Sequence, residues 1–569
     1  MDTPVTPLPA HDDTALAEGA RRALDYHRRT EHRSDGYARG PETLDWDAQP
    51  APFRHYPGCP ARPLPLVDDI LDGRTDPDLK AALARPFDHL GDVPPVPVTI
   101  ASLGTLLQLS LGVTAWKSLG PDRWAVRANP SSGNLHPVEG WLITRGVDAL
   151  EDGVHHYRPE DHALELRASD RRSVAGPQVH IALSSAMWRE AWKYGERAFR
   201  YCQLDVGHAV GCLRYAAALL GWRLRPASVL DAATLAARLG LDRAADYPAR
   251  RHAATEQEEA ELVLTLEAPA LDGAIDPGDW RRSTEAADWY GHASELDPRP
   301  FYRWPAVDAV ARDTRSDAGR PPAPPVPPAS PRRPSTPRSA QTLDLILGRR
   351  SAQRYDPAHT MPRATLVRLI DALMRVGAPP LDVLPECERL DLLLMVHRVQ
   401  GLEPGVYLLP RARGGALLAH LSARHPRLLQ PGPVAGSPLR CVATFAPARL
   451  AAIARGLHCR QAIAADACLT VAMLADLPGA LGEGADRYRT LHRAAGLLGQ
   501  VLYLEAGAEG LSGTGIGCFL DGPVRDFCGL DAGPWTSLYH FAIGKAVVDP
   551  RIESRPAYGI DRLDGFAQE

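Results

Sequence analysis

Residues 317–340, DAGRPPAPPVPPASPRRPSTPRSA, constrain this chain more than any other stretch. Proline fixes φ and removes a backbone donor, and the run holds almost no large apolar side chain. Such a segment buries no core and forms an extended, semi-rigid connector. A chain of 569 residues is in any case too long for a single hydrophobic core. The sequence therefore divides into a first unit over 1–310, a linker over 311–340 and a second unit over 341–569. The linker is long enough to let the second unit fold back on the first.

The two units echo each other. RYCQLDVGHAVGCLRYAAALLGW (200–222) and RTLHRAAGLLGQVLYLEAGAEGL (489–511) both read as long helices that are apolar on nearly every face. Helices of that kind lie inside a core or between units. Laid end to end, Gly207 meets Gly496 and Gly221 meets Gly510, with Leu213 and Leu502 in step. GVHHY (153–157) echoes GVYLL (405–409), and RRTEH (28–32) echoes RRSAQ (349–353). Three echoes in the same order imply a duplicated domain. Strand patterns occur at 140–145, 179–185 and 260–267, and again at 389–399, 440–446 and 535–544. Helices around short sheets make an α+β fold the expectation. The alternation is too irregular for a doubly wound sheet, and no Gly-x-Gly-x-x-Gly opens a helix after a first strand.

Composition narrows the class. The balance of 64 basic to 69 acidic residues, without a basic stripe, argues against nucleic acid as a partner. The nine cysteines are scattered without a Cys-x-x-Cys pair, so neither a disulfide framework nor a metal cluster is expected. Neither a secretory leader nor an apolar run of about eighteen residues is present. The expectation is a soluble, cytoplasmic protein with reduced thiols and no membrane contact.

Three stretches carry chemistry. Pro130-Ser131-Ser132-Gly133-Asn134-Leu135-His136-Pro137 offers hydroxyls, an amide and free backbone N–H groups, a set suited to the edge of a planar heteroaromatic ligand. Arg349, Arg350 and Ser351 follow an apolar run and suit a phosphate. Lys193 and Tyr194 are adjacent before a glycine and could serve as acid and base. Taken singly, each reads first as ordinary structure: a turn cluster, an exposed helix end, a surface lysine beside a half-buried tyrosine.

Together they resemble the FMN-dependent nitroreductase superfamily. The 130–137 loop resembles that superfamily's Pro-Ser-Ser-x-Asn-x-Gln-Pro loop, and Arg-Arg-Ser resembles its phosphate-binding element. The histidine form of the loop, with KYGERAFRY and LDVGH, more closely resembles the SagB-type dehydrogenase branch, which oxidises thiazolines and oxazolines in peptides to thiazoles and oxazoles. The resemblance implies two nitroreductase-like domains in tandem, forming an intramolecular pseudo-dimer with FMN between them. Ser131, Ser132, Asn134 and His136 of the first domain would face Arg349, Ser351 and Gln353 of the second. Ile516, Gly517 and Cys518 would lie beside the reactive edge of the flavin. Of Lys545, Arg551 and Arg555, Arg551 is the preferred further phosphate cation. Lys193 and Tyr194 would be the catalytic pair, acting on a small-molecule or peptide substrate. Many relatives carry a basic residue where Gln353 stands; Arg354 is a candidate to compensate. Arg28, Arg29 and Thr30 offer a second phosphate cradle, but the second domain lacks a matching Ser-Ser-x-Asn loop, so one flavin per chain is expected. Two other functions stay open: an NAD(P)H-dependent nitroreductase or quinone reductase, and a non-catalytic peptide- or partner-binding protein with a vestigial flavin site.

Overall fold

The two long apolar patterns form 22-residue helices, Ala198–Leu219 and Arg487–Ala508, that pack directly on each other. This computed structural model describes residues 16–316 and 338–559, apart from 74–75, 92, 171–175, 228, 274, 413–414 and 532. Most of the proline-rich linker thus lies outside the described residues. The helices meet at their glycines. A Cβ on Gly207 would lie 2.0 Å from the Arg493 carbonyl oxygen, and one on Gly496 would lie 2.0 Å from that of Leu204. Only residues without a side chain permit so close an approach of two backbones. Each helix is followed by a left-handed glycine, Gly221 at φ +74° and Gly510 at φ +69°, which reverses the chain without a Cβ penalty.

Each half carries an antiparallel sheet, and the sheets share one strand order. In the first half Ala163–Ser169, Gly153–Arg158, Val138–Arg145, Gln178–Ser185, Glu259–Glu267 and Arg223–Pro226 lie side by side. In the second, Arg440–Thr444, Gly405–Leu409, Asp391–Val396, Leu469–Asp476, Trp535–Gly544 and Ser512–Ile516 do so. Short strands Ala61–Pro63 and Asp288–Trp289 add to the outer edge of the first sheet. Gly153 and Gly405 start equivalent strands, and a Cβ on either would strike a carbonyl of the neighbouring strand, Ala168 at 2.0 Å and Ala443 at 2.4 Å. The six strand patterns expected from the sequence coincide with observed strands. A hairpin of Val113–Leu119 and Asp122–Arg127 was not expected from it, since its residues alternate only weakly and stay half-exposed.

The halves exchange their ends. The third strand beside that hairpin is Glu553–Arg555, near the far end of the chain. Reciprocally, the first helix, Glu18–Arg29, packs on the second half, where the His27 ring contacts Thr536 Oγ1 at 3.2 Å and Tyr488 Oη at 3.3 Å. Buried ion pairs also cross in both directions. Arg489 of the second helix reaches Glu259 and Glu261 at 2.7 and 2.8 Å, and Arg493 reaches Glu261 at 2.6 Å. Arg197 and Arg200, at the start of the first helix, grip Asp521 at 2.9 and 3.0 Å. Among the described residues, no helix is long and apolar enough to cross a membrane.

Gly207→Ala should lower stability by about 3 kcal/mol in denaturant unfolding, because the backbone it meets cannot yield as a side chain would. Gly456, in the helix Pro447–Leu457, has open space around it. Gly456→Ala should instead be neutral or stabilising by up to about 1 kcal/mol.

Candidate functional site

Between the halves lies a cavity of about 670 Å³. Its first wall is the loop that joins the hairpin to the strand Val138–Arg145. Gly133, Asn134 and His136 all take left-handed backbone, at φ +62°, +60° and +52°. Local hydrogen bonds hold this turn. Asn134 Nδ2 donates to the Ala125 carbonyl at 2.9 Å, which leaves Oδ1 facing His136 Nε2 at 3.1 Å. His136 therefore carries its proton on Nε2, and its buried Nδ1 has no partner. Burial, then Arg127, Arg189 and Arg349, hold the imidazole well below its usual range, so it is neutral. Ser131 Oγ accepts from the His136 backbone at 2.8 Å.

Ser132 is fastened to the first central helix. Its backbone N–H donates to Asp205 Oδ1 and Oδ2 at 3.1 and 3.2 Å, and its hydroxyl to Oδ1 at 3.1 Å. Even so, burial raises the Asp205 carboxyl to about 7. Burial and the neighbouring Asp205 push Glu190 well above the usual carboxylate range.

The second wall comes from the other half. Helix Thr342–Gly348 delivers Arg349, whose Nε and Nη2 donate to the carbonyls of Ala128 and Arg127 at 3.1 and 3.0 Å. Its guanidinium lies 5.0 Å from the centre of the Tyr503 ring, and its Nη1 is buried without a partner. A buried guanidinium of this kind is costly unless an acceptor meets it. Arg350, bonded to Thr114 Oγ1 at 3.1 Å, is lowered to about 10 by burial and by Arg349. Burial and Arg350 also lower Lys117; Arg349, Arg350 and Lys117 thus place three basic side chains on this part of the cavity wall. Ser351 Oγ lies 2.7 Å from Tyr503 Oη, which in turn accepts from the Gly515 N–H at 3.1 Å. Gln353, Ile516, Gly517 and Cys518 complete the wall, together with part of the tail over 546–552.

The structure thus lines one cavity with Ser131, Ser132, Asn134, His136, Tyr194, Arg349, Ser351, Gln353, Ile516, Gly517 and Cys518. Arg551 does not line the cavity: it is exposed and closed on Asp549 at 2.7 and 3.0 Å, which does not fit its expected place as a phosphate cation, whereas Arg350 and Lys117 are cavity residues. Lys545 turns to the Gly510 carbonyl at 3.0 Å, and Arg555 is exposed beside Glu553. Lys193 sits behind the turn; a Cβ on Gly133 would come within 3.0 Å of Lys193 Nζ and 2.5 Å of Tyr194 Oη. Burial lowers Lys193 and raises Tyr194 well above its usual range. Arg29 is engaged by Glu196 in two bonds of 2.6 Å, and Thr30 Oγ1 accepts from Arg200 at 3.0 Å, so the second cradle is spent on protein partners.

Asp205, His208 and Lys117 also line the cavity, although none was given a role from the sequence; Arg350, read there beside Arg349 and Ser351 as suiting a phosphate, lines it too. The signal for the first two was present, because both stand in the LDVGH stretch that the family resemblance rests on. Lys117 lies on the unexpected hairpin and left no such signal.

A carboxyl held above its unfolded value binds a proton on folding. Its native state is therefore favoured below about pH 4, the unfolded value, and loses stability as pH rises through 7. Asp205→Asn, which keeps an acceptor for Ser132, should accordingly stabilise the protein by about 2 kcal/mol at pH 8. The gain should shrink at pH 5, as read from thermal or denaturant midpoints.

No protein-family model matches the chain. A Methanocaldococcus jannaschii protein named as a nitroreductase is 28% identical over 137 residues, a match spanning 22% of this chain and 66% of that protein. A crystal structure of an Anabaena variabilis protein, also named as a nitroreductase, superposes with a TM-score of 0.64. That likeness covers 92% of this chain and 99% of the other at 22% identity. A protein of Exiguobacterium sibiricum, named as a nitroreductase and solved in complex with FMN, shares 13% identity over 38% of this chain and 92% of its own, at a TM-score of 0.24. Over nearly its whole length, then, this chain has the fold seen in the Anabaena variabilis nitroreductase structure.

Proposed function

We propose that this chain is an FMN-dependent oxidoreductase of the nitroreductase superfamily, built as an intramolecular pseudo-dimer with one flavin site. The observation that carries the reading is Arg349: a buried cation with an unpaired N–H, on the wall of a cavity between two halves of equal strand order. The cavity volume falls in the range of roughly 300–1,000 Å³ usual for small-molecule sites. Arg349, Arg350 and Lys117 would hold the phosphate by charge, and the 131–136 loop offers hydrogen bonds to a heteroaromatic edge. The unpaired Nδ1 of His136 is an acceptor of the same kind, waiting for a donor. FMN, when bound, supplies a two-electron acceptor that the side chains themselves lack.

Within that reading the chain is a SagB-type dehydrogenase acting on an azoline ring in a peptide or related small molecule. Lys193 takes the ring proton on Nζ; burial favours its neutral amine, as a base requires. Tyr194, held protonated by burial and lining the cavity, orients the substrate and relays the proton through Oη. Asp205 fixes the loop through Ser132, so the groups that would meet a flavin edge and the base beside them are held by one turn.

The purified protein should be yellow and hold about one FMN per chain. Arg349→Ala should weaken FMN binding by about 10- to 100-fold while the protein stays folded by circular dichroism. A variant that keeps its flavin removes the phosphate assignment. Lys193→Ala should retain FMN but slow azoline oxidation by about 100-fold. Fast bleaching of the flavin by NADPH, with no azoline turnover, would instead favour a nitroreductase or quinone reductase.

A further inference from the structure

Where the cavity wall meets the N-terminal segment, two of the chain's cysteines come together. Cys518 lines the cavity, and its Sγ lies 2.7 Å from Sγ of Cys459; both are free and half-buried. The contact is built from three separate parts of the chain. Cys459 and Arg460 follow the helix Pro447–Leu457, and both take left-handed backbone, at φ +53° and +62°. Two consecutive non-glycine residues there cost of order 1–3 kcal/mol each, so the turn is held by its surroundings. It is anchored on one side by His458, whose Nε2 lies 2.7 Å from His540 Nδ1. On the other side Gln461 Nε2 donates to the Cys518 carbonyl at 3.1 Å.

The third part is the segment after the first helix. His32 Nδ1 accepts from the Ala38 N–H at 2.9 Å, so the ring proton resides on Nε2. The His32 ring hydrogen-bonds Cys518, and Nε2–H is therefore the donor that a thiolate at Cys518 would meet. The His32 backbone is itself tied to Asp521 Oδ2 at 2.8 Å. Arg197 adds positive charge nearby through its bond to the Gly517 carbonyl at 3.2 Å. The two thiols lie within hydrogen-bonding distance of each other, and Cys459 is also hydrogen-bonded to Tyr37. These surroundings lower the Cys518 thiol and raise that of Cys459, chiefly through the hydrogen bond between them.

We propose that Cys518 and Cys459 form a thiol–disulfide exchange site on the cavity wall, with Cys518 as the attacking thiolate, Cys459 as the resolving thiol and low-molecular-weight disulfides as substrates. The Cys518 thiolate attacks one sulfur of the small disulfide, forming a mixed disulfide and expelling one thiolate. Cys459 then loses its proton to solvent and attacks Cys518 Sγ, which expels the second thiolate and closes the internal bond. Both expelled thiolates take protons from water. Two protein thiols are oxidised and one small disulfide is reduced to two thiols; excess small thiol reverses the sequence. The proposal is independent of flavin binding.

The half-exposed thiols of Cys59 and Cys441 supply internal controls, since burial raises both, Cys59 to about 12. The experiment treats the full chain with glutathione disulfide at pH 7 and maps its tryptic peptides by mass spectrometry. The wild type should lose two of its nine thiols and yield one cross-linked peptide pair joining Cys459 to Cys518. In Cys459→Ser, glutathione should remain on Cys518 and arrive there at least about tenfold faster than on Cys59 or Cys441. His32→Ala should slow that modification of Cys518 without changing the rate at Cys59. Stable glutathione on wild-type Cys518 with no internal link would overturn the proposal, as would equal reactivity of all four cysteines. The wild-type mapping decides the matter even if a variant fails to fold.

Discussion

The contact between Gly207 and Gly496 sets the distance between the two halves, and the other cross-half interactions depend on that distance. With a carbonyl 2.0 Å from where either Cβ would stand, the helices are as close as two backbones come. That spacing lets short buried ion pairs form at both ends of the helix pair, through Arg489 and Arg493 on one side and Arg197 and Arg200 on the other. Buried pairs of this sort add little net stability over an apolar filling, but they penalise any misregister strongly, because a slip would strand a charge. The glycines permit the approach, and the arginines define its register.

The same register brings Arg349 of one half under the carbonyls of residues 127 and 128 of the other. Carbonyl dipoles hold the guanidinium without neutralising it, so its charge stays available to the cavity. Arg350 and Lys117 stand nearby, and the acids among the cavity residues are Asp205, which burial keeps near half-protonated at neutral pH, and Asp549, which Arg551 occupies. The cavity is therefore positive by construction, and its field favours a ligand with a dianionic end.

Much of this was legible in the sequence because it rests on local pattern. The two central helices, the six strand patterns and the α+β character follow from apolar periodicity. Gly207 and Gly496 stood out because glycine has no other reason to sit within an apolar helix. The 131–136 loop and Arg349 were legible as chemistry, and their meeting was expected only through the family resemblance, since no local pattern tells which half faces which. What escaped was non-local. The hairpin over 113–127 gains its third strand from residues more than four hundred positions away. Arg551 looked as suitable as Arg350 for an anion, yet Asp549 two residues earlier closes on it. Asp205 was visible only as part of the LDVGH stretch, because its raised protonation arises from burial that no neighbour in sequence reveals.

The exchange of chain ends has a consequence for how the molecule comes apart. The first helix packs on both halves, through Glu196 of the first and Thr536 of the second, and the strand Glu553–Arg555 pairs with the first. Trp116 Nε1 donates to the Ala557 carbonyl at 3.1 Å, and Tyr558 Oη to the Pro159 carbonyl at 2.8 Å, so the tail is tied down beyond its strand. A protease cut in the linker would therefore leave two fragments joined by the helix pair, by the first helix between them and by the tail strand that the first half holds. The halves are clasped hands more than beads on a string, and what joins them is contact spread over both ends of the chain.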